Sequence, residues 1–210
     1  MTQNCDSKWP FGDIAPMSAD VILADPPWRF ELRSEAGEEK SAQAQYECMS
    51  LEDIMALPVS KLCRGDAICV MWATWPFIAN AAANLILPAW GFTPVTGGAW
   101  FKRTKHDKAA FGTGYVFRSA CEPFLVGTMG SPLTAKNVRN VIETLEADNA
   151  IYAPTRGHSR KPDGIYGLCE RLCPRALRGV ELFARQRWTG GKIAWQAWGN
   201  DVDKFEATPL

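Results

Sequence analysis

The chain of 210 residues has no apolar run approaching the roughly 20 residues that cross a bilayer, and Met1 to Lys8 contain no basic segment followed by an apolar stretch. We therefore expect a soluble, cytoplasmic protein without a membrane segment or a secretory signal. Internal repeats and low-complexity linkers are absent too. The length accordingly predicts a single domain over residues 1–210.

Metal-ligating residues are few or scattered. The sequence has two histidines and seven cysteines, an odd number. Only Cys169 and Cys173 lie close together, and a zinc site would need ligand pairings that the spacing does not support. We expect reduced, mostly buried thiols and no metal site.

An excess of either charge is also lacking, since the formal net charge is zero. This balance argues against a non-specific binder of polyanions. The charges are nevertheless uneven: residues 1–60 hold eleven acids and four bases, whereas residues 155–192 hold nine bases and three acids. A second basic cluster comprises Lys102, Arg103, Lys105 and Lys108. Each cluster fits either a solvated helix face or a nucleic-acid contact, and the nine tryptophans offer surfaces on which bases can stack.

Short apolar runs alternate with helical patterns through most of the chain. The runs lack a polar–apolar alternation, which is typical of strands covered on both faces, and they occur at Val21 to Ala24, Ala67 to Trp72, Phe124 to Gly127, Ala150 to Ala153 and Val180 to Ala184. Helices are predicted from a capping box at Ser50 to Asp53, over Pro76 to Leu87, and from Lys161-Pro162-Asp163. The predicted fold class is α/β, a sandwich with a mainly parallel sheet and helices on both faces, whose ligands bind beyond the carboxyl ends of the strands.

One predicted strand leads directly into a carboxylate. Val21 to Ala24 is followed by Asp25-Pro26-Pro27-Trp28. Because proline has no backbone N–H and fixes φ, we expect the carbonyls of Asp25 and Pro26 to be free acceptors. With the face of Trp28 alongside, these groups suit an amino group on a flat ring. The alternative is a plain turn in which Trp28 is buried and Asp25 caps a neighbouring segment.

Ala24-Asp25-Pro26-Pro27-Trp28 resembles the catalytic motif of the MT-A70 family of adenine-N6 methyltransferases, in its bacterial or phage type. Two later regions are similar to the same family in the expected order: His158-Ser159-Arg160-Lys161-Pro162-Asp163-Gly164-Ile165-Tyr166, and Glu181-Leu182-Phe183-Ala184-Arg185 with Trp198-Gly199-Asn200-Asp201. The resemblance spans about Asp6 to Asp203. It implies a Rossmann-like methyltransferase domain in permuted order, with the catalytic motif before the cofactor motif, and it explains why no Gly-x-Gly-x-x-Gly loop is present.

The resemblance also implies S-adenosylmethionine as the methyl donor, and it assigns residues to the site. The catalytic residues it implies are Asp25, Pro26, Pro27 and Trp28. Asp25 is implied in binding the cofactor's methionine amine or the target amine. The other cofactor-binding residues it implies are Asp6 for the cofactor's adenine amine, Lys161 for the methionine carboxylate, and Arg185, Asn200 and Asp201 for the ribose hydroxyls. The Pro26 carbonyl would hold the target amine while Trp28 or a neighbouring aromatic stacks on the base.

The implied reaction is methyl transfer to the N6 amine of adenine in nucleic acid, and the likeness to bacterial or phage relatives favours DNA over RNA. Phosphate contacts are expected from basic residues after predicted strands, namely Lys102, Arg103, Lys105, Lys108, Arg187 and Lys192. RNA adenine methylation is one alternative, and a non-catalytic nucleic-acid-binding or scaffold subunit is another. Action as a homodimer or with a partner subunit is open. Cytosine-N4 methylation is disfavoured because those enzymes usually carry Ser where Asp25 stands.

Overall fold

The computed structural model describes residues 9–28, 48–104, 106–112, 114, 116–146 and 160–205. Its strands are β1 (Ala19–Ala24), β2 (Cys63–Trp72), β3 (Thr93–Thr104), β4 (Cys121–Met129), β5 (Val141–Glu146), β6 (Arg178–Leu182) and β7 (Ala194–Trp198). Its α-helices are α1 (Leu51–Ala56), α2 (Trp75–Ala79), α3 (Ala82–Ala89) and α4 (Gly164–Leu172), with a 3₁₀ helix at Val59–Leu62. The predicted strand at Ala150 to Ala153 lies outside the described residues.

The strands form one sheet in the order β5-β3-β4-β2-β1-β6-β7. β2 and β6 pair in parallel with β1, β7 pairs in parallel with β6, and β5 pairs in parallel with β3. β4 is antiparallel to both of its neighbours, β2 and β3. Six of the described strands therefore point the same way, and the prediction of a mainly parallel sheet is confirmed. Their ends, together with the start of β4, form what we call the carboxyl edge.

Both faces of the sheet are covered. On one face Ile22 and Met71 pack in a cluster with residues of α1 and α3, including Ile54 and Ile86. On the other face the strand residues pack against α4 through a cluster that includes Val21, Leu23, Ile165, Leu168 and Cys169. Burial on both faces explains why the central strands read as continuous apolar runs. The packing places helices on both sides of the sheet, as expected for a Rossmann-like methyltransferase.

Two helical predictions have different outcomes. Ser50 caps α1 by accepting a hydrogen bond from the Asp53 backbone N–H at 3.0 Å, which confirms the predicted start. The helix predicted over Pro76 to Leu87 is instead divided into α2 and α3. Asn80 Oδ1 accepts from the Ala82 N–H at 3.1 Å, and Ala81 has a φ of 64°. A side chain that binds the backbone locally competes with the helical hydrogen bonds, so the helix stops there.

No helix in the part of the chain that the structure describes is both long and apolar enough to span a membrane.

Trp90 joins the two helices that pack on one face. It is buried and donates from Nε1 to the Ile54 carbonyl at 2.7 Å. We expect Trp90→Phe to lower the free energy of unfolding by roughly 1 to 3 kcal/mol, because the buried carbonyl loses this donor. Urea denaturation measures the change. Trp75→Phe, at a half-exposed tryptophan, is the control and should change stability little. Equal effects of the two variants would contradict this account.

Candidate active site

Asp25 lies where β1 reaches the carboxyl edge. Its backbone N–H donates to the Leu182 carbonyl at 3.3 Å, which extends the pairing between β1 and β6 by one residue. Pro26 and Pro27 follow, and because neither has a backbone N–H, the ladder ends there. The sheet therefore fixes the backbone that carries the Asp25 carboxylate.

Four side chains of alternating charge lie in a row along the carboxyl edge. Lys161 Nζ, just before α4, is 3.0 Å from Asp25 Oδ2 and 3.3 Å from Glu122 Oε2. Glu122, at the start of β4, also pairs with Lys102 of β3. The ammonium of Lys161 lies 5.6 Å from the centre of the Trp72 ring. We call Asp25, Lys161, Glu122 and Lys102 the charge row; it connects three strands and the start of α4.

Burial and charge oppose each other within the charge row. Burial raises the pKa of the Asp25 carboxyl, and Lys161 offsets only part of this effect. Burial also acts to raise the pKa of Glu122, but Lys161 and Lys102 outweigh it and bring this pKa down to about 2. Burial acts to lower the pKa of Lys161, yet Asp25 and Glu122 hold it above its ordinary value. Lys161 and Glu122 are therefore ionised at neutral pH, and Asp25 is the carboxyl of the row with raised proton affinity.

A second group of polar side chains lies beside the charge row. The Tyr166 hydroxyl donates to Glu181 Oε2 at 2.7 Å and accepts from Gln186 Nε2 at 3.1 Å. Gln186 Nε2 also donates to Asp163 Oδ1 at 2.9 Å, and Gln186 Oε1 accepts from Arg160 Nη2 at 3.0 Å. Arg160 and Asp163 form an ion pair at 3.2 Å. We call these five residues the polar network. It joins the segment around the start of α4 to β6 and to the segment after β6.

Glu181 is the unusual acid of the polar network. Burial raises the pKa of its carboxyl to about 8; the charges of Asp25 and Asp163 act in the same direction, and the hydrogen bond from Tyr166 acts against them. The carboxyl is therefore mostly protonated at pH 7. A protonated carboxyl adds an O–H donor to the site, which an ionised one lacks.

The charge row and the polar network share one pocket at the carboxyl edge. Both charged and aromatic side chains contribute to its walls, which are formed by Asp25, Trp72, Arg160, Lys161, Pro162, Ile165, Tyr166, Glu181, Phe183, Arg185, Gln186 and Phe205. The Arg185 guanidinium lies 5.5 Å from the centre of the Phe205 ring. The pocket therefore combines ionic groups of both signs with apolar surfaces, which is the lining of small-molecule sites.

The structure brings together three of the predicted cofactor residues. Asp25, Lys161 and Arg185 line the pocket. Asp201, after β7, is linked to it because its Oδ2 lies 3.7 Å from Arg185 Nη2. Asn200 is exposed at the same edge, and Asp6 lies outside the described residues. The roles of these residues remain predictions.

Two features predicted for the Asp25-Pro26-Pro27-Trp28 turn are wrong. Trp28 is only 5% exposed, and its ring stacks on Phe77 of α2 with centroids 4.7 Å apart, so it offers no open face. The Pro26 carbonyl is not a free acceptor, because it accepts from the Trp28 backbone N–H at 2.9 Å. The alternative reading of a turn with a buried Trp28 therefore holds for that residue. The Trp28 ring is packed into the core beneath the turn, so it is not accessible to a ligand.

The basic residues predicted to contact phosphate do not form one surface. Three of them lie in ion pairs: Lys102 with Glu122, Arg103 with Asp107, and Arg187 with Asp203. Lys108 is exposed near the end of β3, and Lys105 lies outside the described residues.

Lys192 occupies the opposite edge of the sheet from Asp25. It precedes β7, and its Nζ donates to the Pro174 carbonyl at 3.1 Å, before the start of β6. The predicted position beside the Asp25 cleft is therefore wrong. After β6 the chain crosses back to the amino edge before β7 begins. Lys192 therefore lies at the amino edge, although it is close in sequence to the end of β6.

Several residues of the site were not predicted, chiefly Glu122, Trp72, Tyr166, Glu181 and Gln186. There is a clear physical reason why Glu122 was not predicted. It stands at the start of a strand, and in a parallel strand that position would lie at the amino edge. The reversal of β4 brings it to the carboxyl edge instead. The signal in the sequence is a carboxylate two residues before the apolar run Phe124 to Gly127, but whether it lies at the carboxyl or the amino edge depends on the direction of the strand.

The family model described as MT-A70 matches residues 19–201. The chain belongs to the MT-A70 family. Its α/β sheet and its pocket at the carboxyl edge agree with a Rossmann-like methyltransferase. The family uses S-adenosylmethionine as the methyl donor.

Curated relatives of this MT-A70 chain include one plant protein and one animal protein named for adenosine methylation, and a second animal protein named for adenine methylation. N(6)-adenosine-methyltransferase MT-A70-like of Arabidopsis thaliana is 28% identical over 206 residues, which cover 94% of this chain and 27% of the relative. The N(6)-adenosine-methyltransferase MT-A70-like protein of Drosophila melanogaster is 31% identical over 185 residues, covering 87% and 27% respectively. The N(6)-adenine-specific methyltransferase METTL4 of Mus musculus is 28% identical over 198 residues, covering 89% and 38%. The chain thus spans about a quarter to two-fifths of the length of these relatives.

The pocket residues of this MT-A70 chain fit S-adenosylmethionine. The amino-acid end of that molecule carries an ammonium and a carboxylate side by side. Asp25 and Lys161 offer the two complementary charges 3.0 Å apart on the pocket wall. Asp25 would hold the ammonium, Lys161 the carboxylate, and Arg185 and Asp201 would lie toward the nucleoside. When bound, the cofactor supplies a methyl group on a positively charged sulfur.

We expect Lys161→Ala to weaken the binding of S-adenosylmethionine by about 1.5 to 3 kcal/mol, the range of a charge-assisted hydrogen bond. Isothermal titration calorimetry measures the affinity without nucleic acid. Lys192→Ala removes a lysine at the opposite edge and should leave the affinity unchanged. Circular dichroism reports whether each variant is folded. A folded Lys161→Ala protein with wild-type affinity would contradict the assignment.

Glu181 gives a pH-dependent prediction. Its pKa in the folded chain is about 8 against an ordinary value of 4.5, so its stabilising contribution is present below pH 4.5 and is lost as the pH rises through 8. Glu181→Gln stays neutral and keeps an acceptor for Tyr166. We expect the unfolding free energy of this variant, relative to wild type, to increase by on the order of 2 to 4 kcal/mol between pH 5 and pH 8.5. Urea denaturation across this range measures it; a difference that does not change with pH would count against the buried acid.

Proposed function

We propose that this chain transfers a methyl group from S-adenosylmethionine to the N6 amine of adenine in DNA. The observation that carries the proposal is the Asp25 carboxylate, held at the end of β1 and paired with Lys161 on the wall of the pocket. Membership of the MT-A70 family supports the reaction class. The general likeness of the sequence to bacterial or phage relatives supports DNA. A chain that served only as a scaffold would have no need of this carboxylate in a ligand pocket.

RNA is the second candidate substrate. The Arabidopsis and Drosophila relatives are named for adenosine, the ribonucleoside of adenine, and this naming favours RNA. The mouse relative is named for adenine. Transfer of labelled methyl groups to DNA and to RNA of the same sequence, followed by nucleoside analysis, distinguishes the two candidates. The proposal predicts labelled N6-methyldeoxyadenosine and a slower reaction with RNA.

The chemical difficulty lies in the target nitrogen, because its lone pair is conjugated with the adenine ring. The two oxygens of the Asp25 carboxylate have acceptor sites for both the cofactor's ammonium and the target amine. A hydrogen bond from N6–H to this carboxylate would draw the nitrogen toward a pyramidal shape and direct its lone pair away from the ring. A target nitrogen that accepts the methyl group would become cationic and would have to lose a proton. Asp25, with its raised pKa, can accept that proton or pass it to solvent. The contribution is mainly positioning and electrostatics.

The other residues of the site keep this carboxylate in place. Lys161 attracts one oxygen of Asp25, and Glu122 restrains Lys161 from the far side. The Pro26 carbonyl already accepts from Trp28, so it has one lone pair left for a second contact with the amine. Because N6 is paired inside a duplex, the base must flip out or the substrate must be single-stranded.

We expect Asp25→Ala to reduce methyl transfer by roughly 100-fold or more, because the amine loses its charged acceptor at the reacting atom. Scintillation counting of labelled methyl groups in nucleic acid measures the rate. The variant should remain folded, since Asp25 ends a strand at the pocket and is not part of the apolar core. Glu52→Ala removes an exposed carboxylate on α1 and serves as the control. Turnover by Asp25→Ala at the wild-type rate would overturn the catalytic assignment.

A further inference from the structure

The connection between β3 and β4 leaves and re-enters the sheet at the carboxyl edge. We call its described residues, 106–112, 114 and 116–120, the β3–β4 loop. Its base is hydrogen-bonded: the Lys102 N–H donates to the Ala120 carbonyl at 2.9 Å, and the Ala110 N–H donates to the Lys102 carbonyl at 2.9 Å. Further out, the Gly112 N–H donates to the Ser119 carbonyl at 3.0 Å. The loop is thus a folded projection whose base includes Lys102 of the charge row.

Large apolar side chains on this loop face solvent. Phe111 is 82% exposed, Val116 88% and Phe117 86%. Exposure of this extent is unusual for phenylalanine, and two such rings on one loop mark a surface on which a ligand or partner can pack. Neither ring contributes to the clusters that form the core. The loop therefore presents its aromatic groups outward.

The charge around these rings is positive. Residues 102–119 contain five lysines and arginines and one acid, in a chain whose net charge is zero. The Arg118 guanidinium lies 5.6 Å from the centre of the Phe111 ring, and Lys108 is exposed on the same loop. Aromatic faces interleaved with cations match the alternation of bases and phosphates in a single strand.

We propose that Phe111 and Phe117 stack on unpaired bases next to the target adenine, while Arg118 and Lys108 contact the phosphates between them. This inference rests on the proposed function, because it assigns the site beside the pocket to the nucleic acid. The occupant is single-stranded nucleic acid, since a paired duplex hides the faces of its bases. The base of the loop is joined to the charge row, because Lys102 pairs with Glu122 and its backbone is hydrogen-bonded to Ala110 and Ala120.

The direct test is fluorescence anisotropy of the full chain with a labelled single-stranded oligonucleotide that contains one adenine. We expect Phe117→Ala and Phe111→Ala each to weaken binding by about 5- to 150-fold, the effect of losing one stacked base. Phe117→Trp should retain the affinity, whereas Phe117→Leu should not. The salt dependence should stay unchanged in the phenylalanine variants, and Lys108→Ala should lower its slope by about 0.7.

Leu177→Ala is the matched control, because Leu177 is an exposed apolar residue just before β6, at the amino edge. It should leave oligonucleotide affinity unchanged, and all variants should bind S-adenosylmethionine like the wild type. Wild-type affinity of Phe117→Ala, full rescue by Phe117→Leu, or no binding of single strands by the wild type would each overturn the proposal. The proposal would also be overturned if a phenylalanine variant changed the oligomeric state measured by sedimentation but left the oligonucleotide affinity unchanged. The loop would then be a protein interface.

The failure of this inference can be separated from the failure of the proposed function. If methyl transfer occurs and the phenylalanine variants bind and react normally, only the stacking surface is wrong. If the oligonucleotide binds through Phe117 but receives no methyl group, the stacking surface stands and the proposed reaction fails.

Discussion

The side chain of Lys161 is only 18% exposed at the carboxyl edge, and a cation that has lost most of its hydration is stable only when carboxylates replace it. Asp25 and Glu122 do so from two different strands, at 3.0 and 3.3 Å. The geometry of the pocket thus depends on this one cation, because it holds the end of β1, the start of β4 and the segment before α4 together.

The same interaction connects the fold to chemistry. In a purely structural ion pair the two charges contact only protein. The pair of Asp25 and Lys161 lines a pocket instead, so it offers one charge of each sign to a ligand. The polar network supports it from behind, because Arg160 and Asp163 flank Lys161 in the chain and are both bound to Gln186. The position of the lysine is therefore set on both sides, and a zwitterionic cofactor end meets charges that are already arranged.

The sequence predicts the α/β sandwich, the carboxylate at the end of β1 and Lys161 near a helix start, because each of these depends on local pattern. It fails where a contact depends on strand direction or on packing between distant segments. The reversed β4 brings Glu122 into the site, and the return of the chain before β7 takes Lys192 away from it. The ring of Trp28 stacks on Phe77, and nothing in the order of residues at either position predicts that contact. Asn80 divides a helix that apolar composition alone predicts as continuous.

The most direct test of the paired-charge site compares two ligands, S-adenosylhomocysteine and 5′-methylthioadenosine, which lacks the amino-acid end. Calorimetry on the wild type and on Asp25→Asn gives the four affinities. The account predicts that the wild type prefers S-adenosylhomocysteine by at least about 10-fold, the effect of one charge-assisted hydrogen bond. Asp25→Asn should lower this preference, keep the share that Lys161 contributes, and bind 5′-methylthioadenosine unchanged. Equal affinity of the wild type for the two ligands would contradict it.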